Sequence, residues 1–503
     1  MNLTLDEIQN FKGKYPKQIL SLFFSEMWER FCFYGMRGML VVFMITQLGL
    51  GEKEANLQYG ATQAFVYAFT FVGGLFADKI LGFRKSLFWG GILMIAGSII
   101  LSLNPHDYFF FGISFTIIGS GFFKPNISTM VGKLYKTGDP RTDAGFTLFY
   151  AGINLGALLG GYLCVAIGQG DLFSSVIPAD KTWNVAFGLA AIVMVISLIN
   201  FYFTQHTLGP IGYQPGHPLS DEPGRKIQKW QEILVYAGTL VIIPLIMTMV
   251  SKTQYTDYFM YTIGPLTLLY LFYEMTKVSA PERKRLWAAL IFIIFSIFFW
   301  GIYEQSGGSL SIFAERNLNR DLLGLNPNGV NNSGGAFFIL LLAVPIGLFW
   351  IWLNKKRIEP NTIIKFGLGF LFLGLGYYVI FATKYFANAA GVTSLSVFTI
   401  ALFVITLGEM CLSPIGLSIM TKLSTKNLQG MMMGMWFLAS AYGQYVAGII
   451  GANMATAKEG STNLDALLAY TDGYKQLGLY ALVCGLILIL ISPLVKQLMH
   501  GVK

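Results

Sequence analysis

The chain has 503 residues, of which 54% are hydrophobic and only 12% charged. Soluble domains carry roughly 25% charged residues, so this composition excludes a surface solvated by water throughout and makes lipid the expected solvent. The net charge of +9 follows from basic residues flanking membrane spans and does not call for nucleic acid as a partner.

Met1 to Lys17 is polar and mixed in charge. No short apolar core with a cleavage site precedes the first span, so no cleaved signal peptide is expected. A bilayer-crossing helix needs about 20 apolar residues. On that basis spans are expected at about 17–46, 58–80, 84–104, 107–133, 143–168, 183–204, 229–251, 257–278, 284–308, 333–354, 361–384, 395–421, 429–454 and 472–499. These fourteen helices group as six, two and six. They are far longer than the roughly ten-residue strands of an outer-membrane barrel. The expected fold class is an all-α polytopic membrane protein.

Basic residues recur at alternate span ends: Lys12, Lys14 and Lys17, then Lys79, Arg84 and Lys85, then Lys133, Lys136 and Arg141. Arg225, Lys226 and Lys229 follow, then Arg283, Lys284 and Arg285, then Lys355, Lys356 and Arg357, then Lys422 and Lys426, and finally Lys496 and Lys503. All fall on one side if both termini are cytoplasmic, as the positive-inside rule requires in an inner (plasma) membrane. The four cysteines, Cys32, Cys164, Cys411 and Cys484, lie within expected spans without metal-ligand spacing. They read as small packing residues, with no structural disulfide.

Two six-helix bundles with a connector suggest the major facilitator architecture, with a site near the bilayer midplane. The expected division is an amino-terminal bundle at 1–205, a connector with two additional helices at 206–283 and a carboxy-terminal bundle at 284–503. Leu208 to Pro218 and Glu222-Pro-Gly224 are too rich in Gly and Pro for a helix. The two added helices carry few charges and read as peripheral. Arg316 to Asn332, rich in Asn and Gly, reads as a long periplasmic loop. Gly74 to Lys85 has the glycines of a tight turn and an acid, Asp78, among bases. It resembles the loop signature of major facilitators.

Charges inside apolar spans cost roughly 2.5–3.5 kcal/mol each on insertion scales and mark function by default. The first span holds Glu26, Glu29, Arg30 and Arg37 and the fourth Lys124; with the two added helices left out of the numbering, the seventh holds Glu304 and the tenth Glu409. Offsets of three and four put Glu26, Glu29 and Arg30 on one helical face, and Tyr34 continues the stripe. Arg37, about three turns after Glu26, returns to nearly the same face. Such a wall packs against charged partners or lines a watery cavity. Purely structural ion pairing is the competing reading.

Glu26-Met-Trp-Glu29-Arg30-Phe31-Cys-Phe33-Tyr34-Gly-Met-Arg37 resembles the ExxERFxYYGMR signature of proton-dependent oligopeptide transporters, with Phe33 in place of the usual first tyrosine. Gly119-Ser-Gly121-Phe-Phe-Lys124-Pro125-Asn126 resembles the family's lysine motif, and Phe146 to Gly156 its fifth-helix signature. Glu304-Gln305, Gly408 to Leu417 and Met432 to Phe437 resemble those of the seventh, tenth and eleventh helices.

The resemblance implies proton-coupled symport of di- and tripeptides by alternating access, with no cofactor beyond the proton gradient, in a chain acting as a monomer. It implies that Arg30 and Lys124, assisted by Tyr34, hold the peptide carboxylate. Asn154 and Glu409 would hold the α-ammonium, and Tyr67, Trp300, Ser413 and Trp436 would shape side-chain pockets. Glu26 and Glu29 would compete for Lys124 and Arg30, and Arg37 with Glu304 would close a periplasmic gate. Counting back from Pro345, Ala336 stands where the family places an asparagine near the start of the eighth helix, and Thr70 where a proline is common. A same-family carrier of nitrate or a conjugated metabolite is the alternative. The intact acids and the absence of a histidine within the spans weigh against it. No G-x-S-x-G, phosphate loop or His cluster suggests an enzyme.

Overall fold

The computed structural model describes residues 3–221, 224, 226–412, 416–425, 428–455 and 462–500. Ser413, and Arg225, Lys426 and Lys503 among the basic residues, lie outside them. The described residues are helical, with one isolated bridge between Leu318 and Thr393. The long helices are α1 (Gln18–Thr46), α2 (Glu52–Phe76), α3 (Gly82–Leu103), α4 (Phe109–Lys133), α5 (Thr142–Gly168), α6 (Thr182–Thr204), α7 (Lys229–Ser251), α8 (Thr253–Lys277), α9 (Ala280–Tyr303), α10 (Pro327–Lys355), α11 (Thr362–Ala382), α12 (Leu395–Leu412), α13 (Gln429–Met454) and α14 (Asn463–Leu498). A short helix, Gly416–Leu423, lies between α12 and α13. Among the described residues, nine helical stretches are long and apolar enough to cross a membrane. α1 is not among them, because Glu26, Glu29, Arg30 and Arg37 interrupt it.

The chain forms two compact units: Met1–Met39 with Phe65–Ser251, and Leu40–Ala64 with Lys252–Lys503. This differs from the expected division at 205 and 283 in two ways. The Leu40–Ala64 segment belongs to the second unit, where Gly60 lies so close to Gly448 that an added Cβ would stand 2.7 Å from its Cα. The two added helices also part company, α7 joining the first unit and α8 the second.

In unit 1, close helix approach is set by small residues, since lipid offers no hydrophobic drive between helices. A Cβ on Gly156 of α5 would stand 2.1 Å from the Met27 carbonyl oxygen of α1, and one on Gly121 of α4 would stand 2.6 Å from the Phe69 backbone of α2. Polar bonds add to the contact of α1 with α6: the Ser197 hydroxyl donates to Ser25 O at 2.7 Å, and the Asn200 amide to Ser21 O at 2.9 Å. The Gly74–Lys85 signature docks the connector. Gly82 takes φ +72 against Tyr213 and Gln214. Arg84 donates to Ile211 O at 2.8 Å and Gly209 O at 2.6 Å.

In unit 2, α11 and α12 cross at Gly369 and Gly408, where a Cβ on either would stand 2.9 or 2.6 Å from the other's carbonyl oxygen. The expected long loop at 316–332 is shorter, with residues 318–326 non-helical and helix at both of its ends. Ser309–Asn317 is a short helix, and α10 starts at Pro327. The Asn326 side chain caps α10 by accepting from the Gly329 N–H at 2.6 Å. Asn residues here serve as a cap and as a buried polar network, which apolar periodicity cannot reveal. Consequently Ala336 sits well inside α10 rather than at its start.

Candidate functional site

Unit 1 gathers the charged wall of α1. Arg30 is 1% exposed, and Glu26 and Glu29 are equally enclosed. The Arg30 Nε donates to Glu26 Oε1 at 2.7 Å and stands 2.9 Å from Glu29 Oε2. Two carboxylates thus share one guanidinium edge. Ser120 of α4 donates its hydroxyl to Glu29 Oε1 at 3.3 Å. Ser120 was missed in the sequence reading. Its signal was its place four residues before Lys124, on the same helical face.

Lys124 sits with its ammonium 4.4 Å from the Tyr67 ring centroid and 5.8 Å from that of Phe33. The Arg30 guanidinium lies 5.9 Å from the same Phe33 ring. Phe33 therefore offers a π face to both cations, although it lacks the family's hydroxyl. Tyr67 thus stands next to Lys124 in this group. Arg37 stands over the Tyr34 ring at 5.7 Å. Tyr34, Arg37, Tyr67 and Lys124 are only partly buried, unlike Arg30. Asn154 is buried on α5, its amide donating to Tyr150 O at 2.9 Å. Gly156, two residues on, brings α5 against the Arg30 Cβ, which a Cβ at 156 would approach to 2.9 Å. The order of motifs on α1, α2, α4 and α5 is what assembles Glu26, Glu29, Arg30, Lys124, Tyr67 and Asn154 in one unit.

Unit 2 holds the second group. Glu304 caps the carboxy end of α9 and is buried. It lies in a different unit from Arg37, the partner expected for it. Glu409 of α12 accepts from the Tyr303 hydroxyl. Tyr303 stacks on Phe299 at 5.7 Å and meets Trp300 edge-on at 5.4 Å. Trp300 is seated by Gly443 of α13, where a Cβ would come within 2.5 Å of the Trp300 Cβ. Trp436 is seated by Gly416, where a Cβ would stand 2.1 Å from the indole. Tyr303, like Ser120, was missed. It lies three residues from Trp300, next to Glu304, and aromatic residues on apolar helices carry no distinguishing signal.

A sequence model described as the POT family matches residues 84–464. The chain is 33% identical over 511 residues to the peptide transporter YePEPT of Yersinia enterocolitica, covering 97% of this chain and 96% of that one. It is 28% identical over 490 residues to dipeptide and tripeptide permease B of Aeromonas hydrophila, covering 97% and 94%. A crystal structure of peptide transporter POT in complex with sulfate is 31% identical, covers 99% of this chain and 100% of its own, and superposes with a TM-score of 0.80. On this match of sequence and helical framework, the chain belongs to the POT family, a family of major facilitator transporters rather than enzymes.

Proposed function

We propose that this chain carries di- and tripeptides into the cytoplasm in symport with protons, by alternating access, as a monomer in the inner membrane with both termini cytoplasmic. The observation that carries the reading is the enclosed Glu26–Arg30–Glu29 cluster. Two acids around one base leave a negative excess in a region shut off from water. Taking up one proton makes the cluster neutral and loosens one carboxylate from Arg30. The guanidinium then has a fork edge to offer a peptide carboxylate, and Lys124 adds a point charge. Protons taken by such a coupled pair belong to the pair rather than to one acid.

Asn154 and Glu409 suit the α-ammonium as a neutral acceptor and an anion. Tyr67, Trp300 and Trp436, with Ser413, suit the variable side chains. Arg37 and Glu304 are assigned to the periplasmic gate. The names of the relatives, peptide transporter and dipeptide and tripeptide permease, support the substrate class. The basic residues at alternate span ends support the orientation. One charge crossing 100 mV releases about 2.3 kcal/mol, and since about 1.4 kcal/mol is tenfold, a single proton drives accumulation by roughly fifty-fold.

The test is uptake of labelled dialanine into liposomes holding the purified protein, under an inward proton gradient with the interior negative. Concentrative uptake that a protonophore abolishes supports the reading. No uptake by folded, inserted protein moves the substrate to another small solute, and uptake that survives the protonophore removes the proton.

A further inference from the structure

Away from the charged residues, unit 2 contains an apolar groove of about 350 Å³ between α8, α9 and α13. Leu268 and Phe272 of α8, Ile293 and Ile294 of α9, and Met435 and Leu438 of α13 form its walls. Its origin lies in how α8 is attached. Near one end the Tyr442 hydroxyl of α13 donates to Met260 O, and the Tyr445 hydroxyl donates to Asp257 Oδ1 at 2.5 Å. Near the other, Phe272 meets Trp287 of α9 with ring centroids 5.8 Å apart. Between these attachments Gly264 lets α8 pass close to the Tyr442 ring, where a Cβ would stand 2.2 Å from the hydroxyl, and the groove opens beside this contact. The hydroxyls on the wall, those of Tyr442 and Thr267, already donate to the Met260 and Ile263 carbonyls. Water needs two to four polar partners to settle in a cavity, so this groove suits hydrocarbon.

Along α9, just before the groove, come Arg283, Lys284 and Arg285. At 1.5 Å per residue they lie roughly 8–10 Å from Leu290 along the helix. Among the described residues none of the three is in an ion pair, and the Arg285 Nε is buried with no hydrogen-bond partner. The neighbouring acids are engaged elsewhere. Glu282, which also attracts Arg285, accepts from the Ser279 N–H at 3.0 Å and its hydroxyl at 2.7 Å, and Glu274 accepts from Lys277 at 2.7 Å. Trp287, 44% exposed at the same level, is the residue type that marks a bilayer interface.

We propose that this groove binds an anionic phospholipid of the surrounding bilayer, with an acyl chain between α8, α9 and α13 and the phosphate on Arg283, Lys284 and Arg285. Clusters of bases beside a crevice between membrane helices are suited to anionic headgroups. The bound chain lies against Met435, the neighbour of Trp436, so it reaches the helix that carries a candidate pocket residue. This inference concerns the membrane-facing side of unit 2 and is independent of which solute is carried.

The experiment uses the full chain, delipidated in detergent and titrated with phosphatidylglycerol or phosphatidylcholine of identical chains, with bound lipid counted by native mass spectrometry. Wild type retains phosphatidylglycerol about tenfold or more over phosphatidylcholine. The triple variant Arg283→Ala, Lys284→Ala, Arg285→Ala loses that preference, while Arg283→Lys with Arg285→Lys keeps it. Ile294→Trp, which fills the groove at a partly exposed position without touching a base, lowers retention of phosphatidylglycerol and provides the readout should the triple variant misfold. Equal retention of the two lipids overturns the proposal. So does phosphatidylglycerol retention unaltered by Ile294→Trp, or displacement of the lipid by millimolar inorganic phosphate.

Discussion

The Tyr303 hydroxyl of α9 donates to Glu409 Oε2 of α12. An acid proposed to receive a peptide ammonium must be held in place, and a neutral phenol does this without competing as a cation. A hydrogen bond to a charged group contributes about 1.5–3 kcal/mol. Tyr303→Phe is therefore expected to raise the KM for dialanine by about tenfold, at about 1.4 kcal/mol per tenfold, with little change in maximal rate. Uptake kinetics in liposomes check this, and an unchanged KM would detach Tyr303 from substrate binding.

Glu29 is tied both to Arg30 and to Ser120. Glu29→Gln keeps the hydrogen-bonding shape and removes the titrating charge. The expected outcome is loss of uphill uptake with retention of peptide-for-peptide exchange, measured by counterflow in liposomes. Undiminished proton-driven accumulation in that variant would take Glu29 out of the coupling role.

Arg30 uses its Nε, an atom that lysine lacks, to engage two carboxylates. Arg30→Lys preserves the charge but not the fork. It is expected to abolish concentrative dialanine uptake while leaving the helical circular dichroism intact. Arg30→Ala leaves two enclosed acids without their base. Breaking a buried pair in this way costs about 3–5 kcal/mol, so its thermal midpoint is expected to fall well below that of Arg30→Lys.

Gly156→Ala forces a Cβ to within 2.1 Å of the Met27 carbonyl oxygen. Overpacking of this kind costs about 1–3 kcal/mol, and it pushes on the side of α1 that bears Arg30. A lowered thermal midpoint together with weakened peptide binding is expected. Gly347→Ala, an exposed position with nothing within 4 Å of the new Cβ, is the control. It is expected to be neutral, or stabilising by about 0.5–1 kcal/mol. Equal effects of the two substitutions would mean that close approach of α5 to α1 does not govern stability.

At the amino end of α2, Glu52 is 2% exposed. It is ion-paired with Arg316 and accepts from the Tyr470 hydroxyl of α14 at 2.7 Å. Removing the base by Arg316→Ala leaves an enclosed carboxylate dependent on neutral partners, at a cost of up to about 3–5 kcal/mol. Thermal unfolding in detergent should show a lower midpoint, and Glu52→Gln introduced with Arg316→Ala should restore part of it. No recovery in the double variant would show that the pair itself, rather than the stranded charge, matters.

The sequence alone determined the solvent, the helix count and the places where charges interrupt apolar helices. Each of these rests on local chemistry: apolar runs of bilayer length, charges that such runs do not carry idly, and motifs with several residues at fixed spacing. It was least reliable where polarity had a second purpose. The Asn-rich stretch before Ser333 reads as loop because its asparagines are polar, yet they cap and line a helix. Only tertiary packing decided that Leu40–Ala64 belongs with the second unit, that α7 and α8 serve different units, and that Ser120 and Tyr303 hold Glu29 and Glu409. Those outcomes depend on which glycine admits which neighbouring backbone, and on which hydroxyl then falls within reach of a carboxylate. Periodicity along a single helix contains neither.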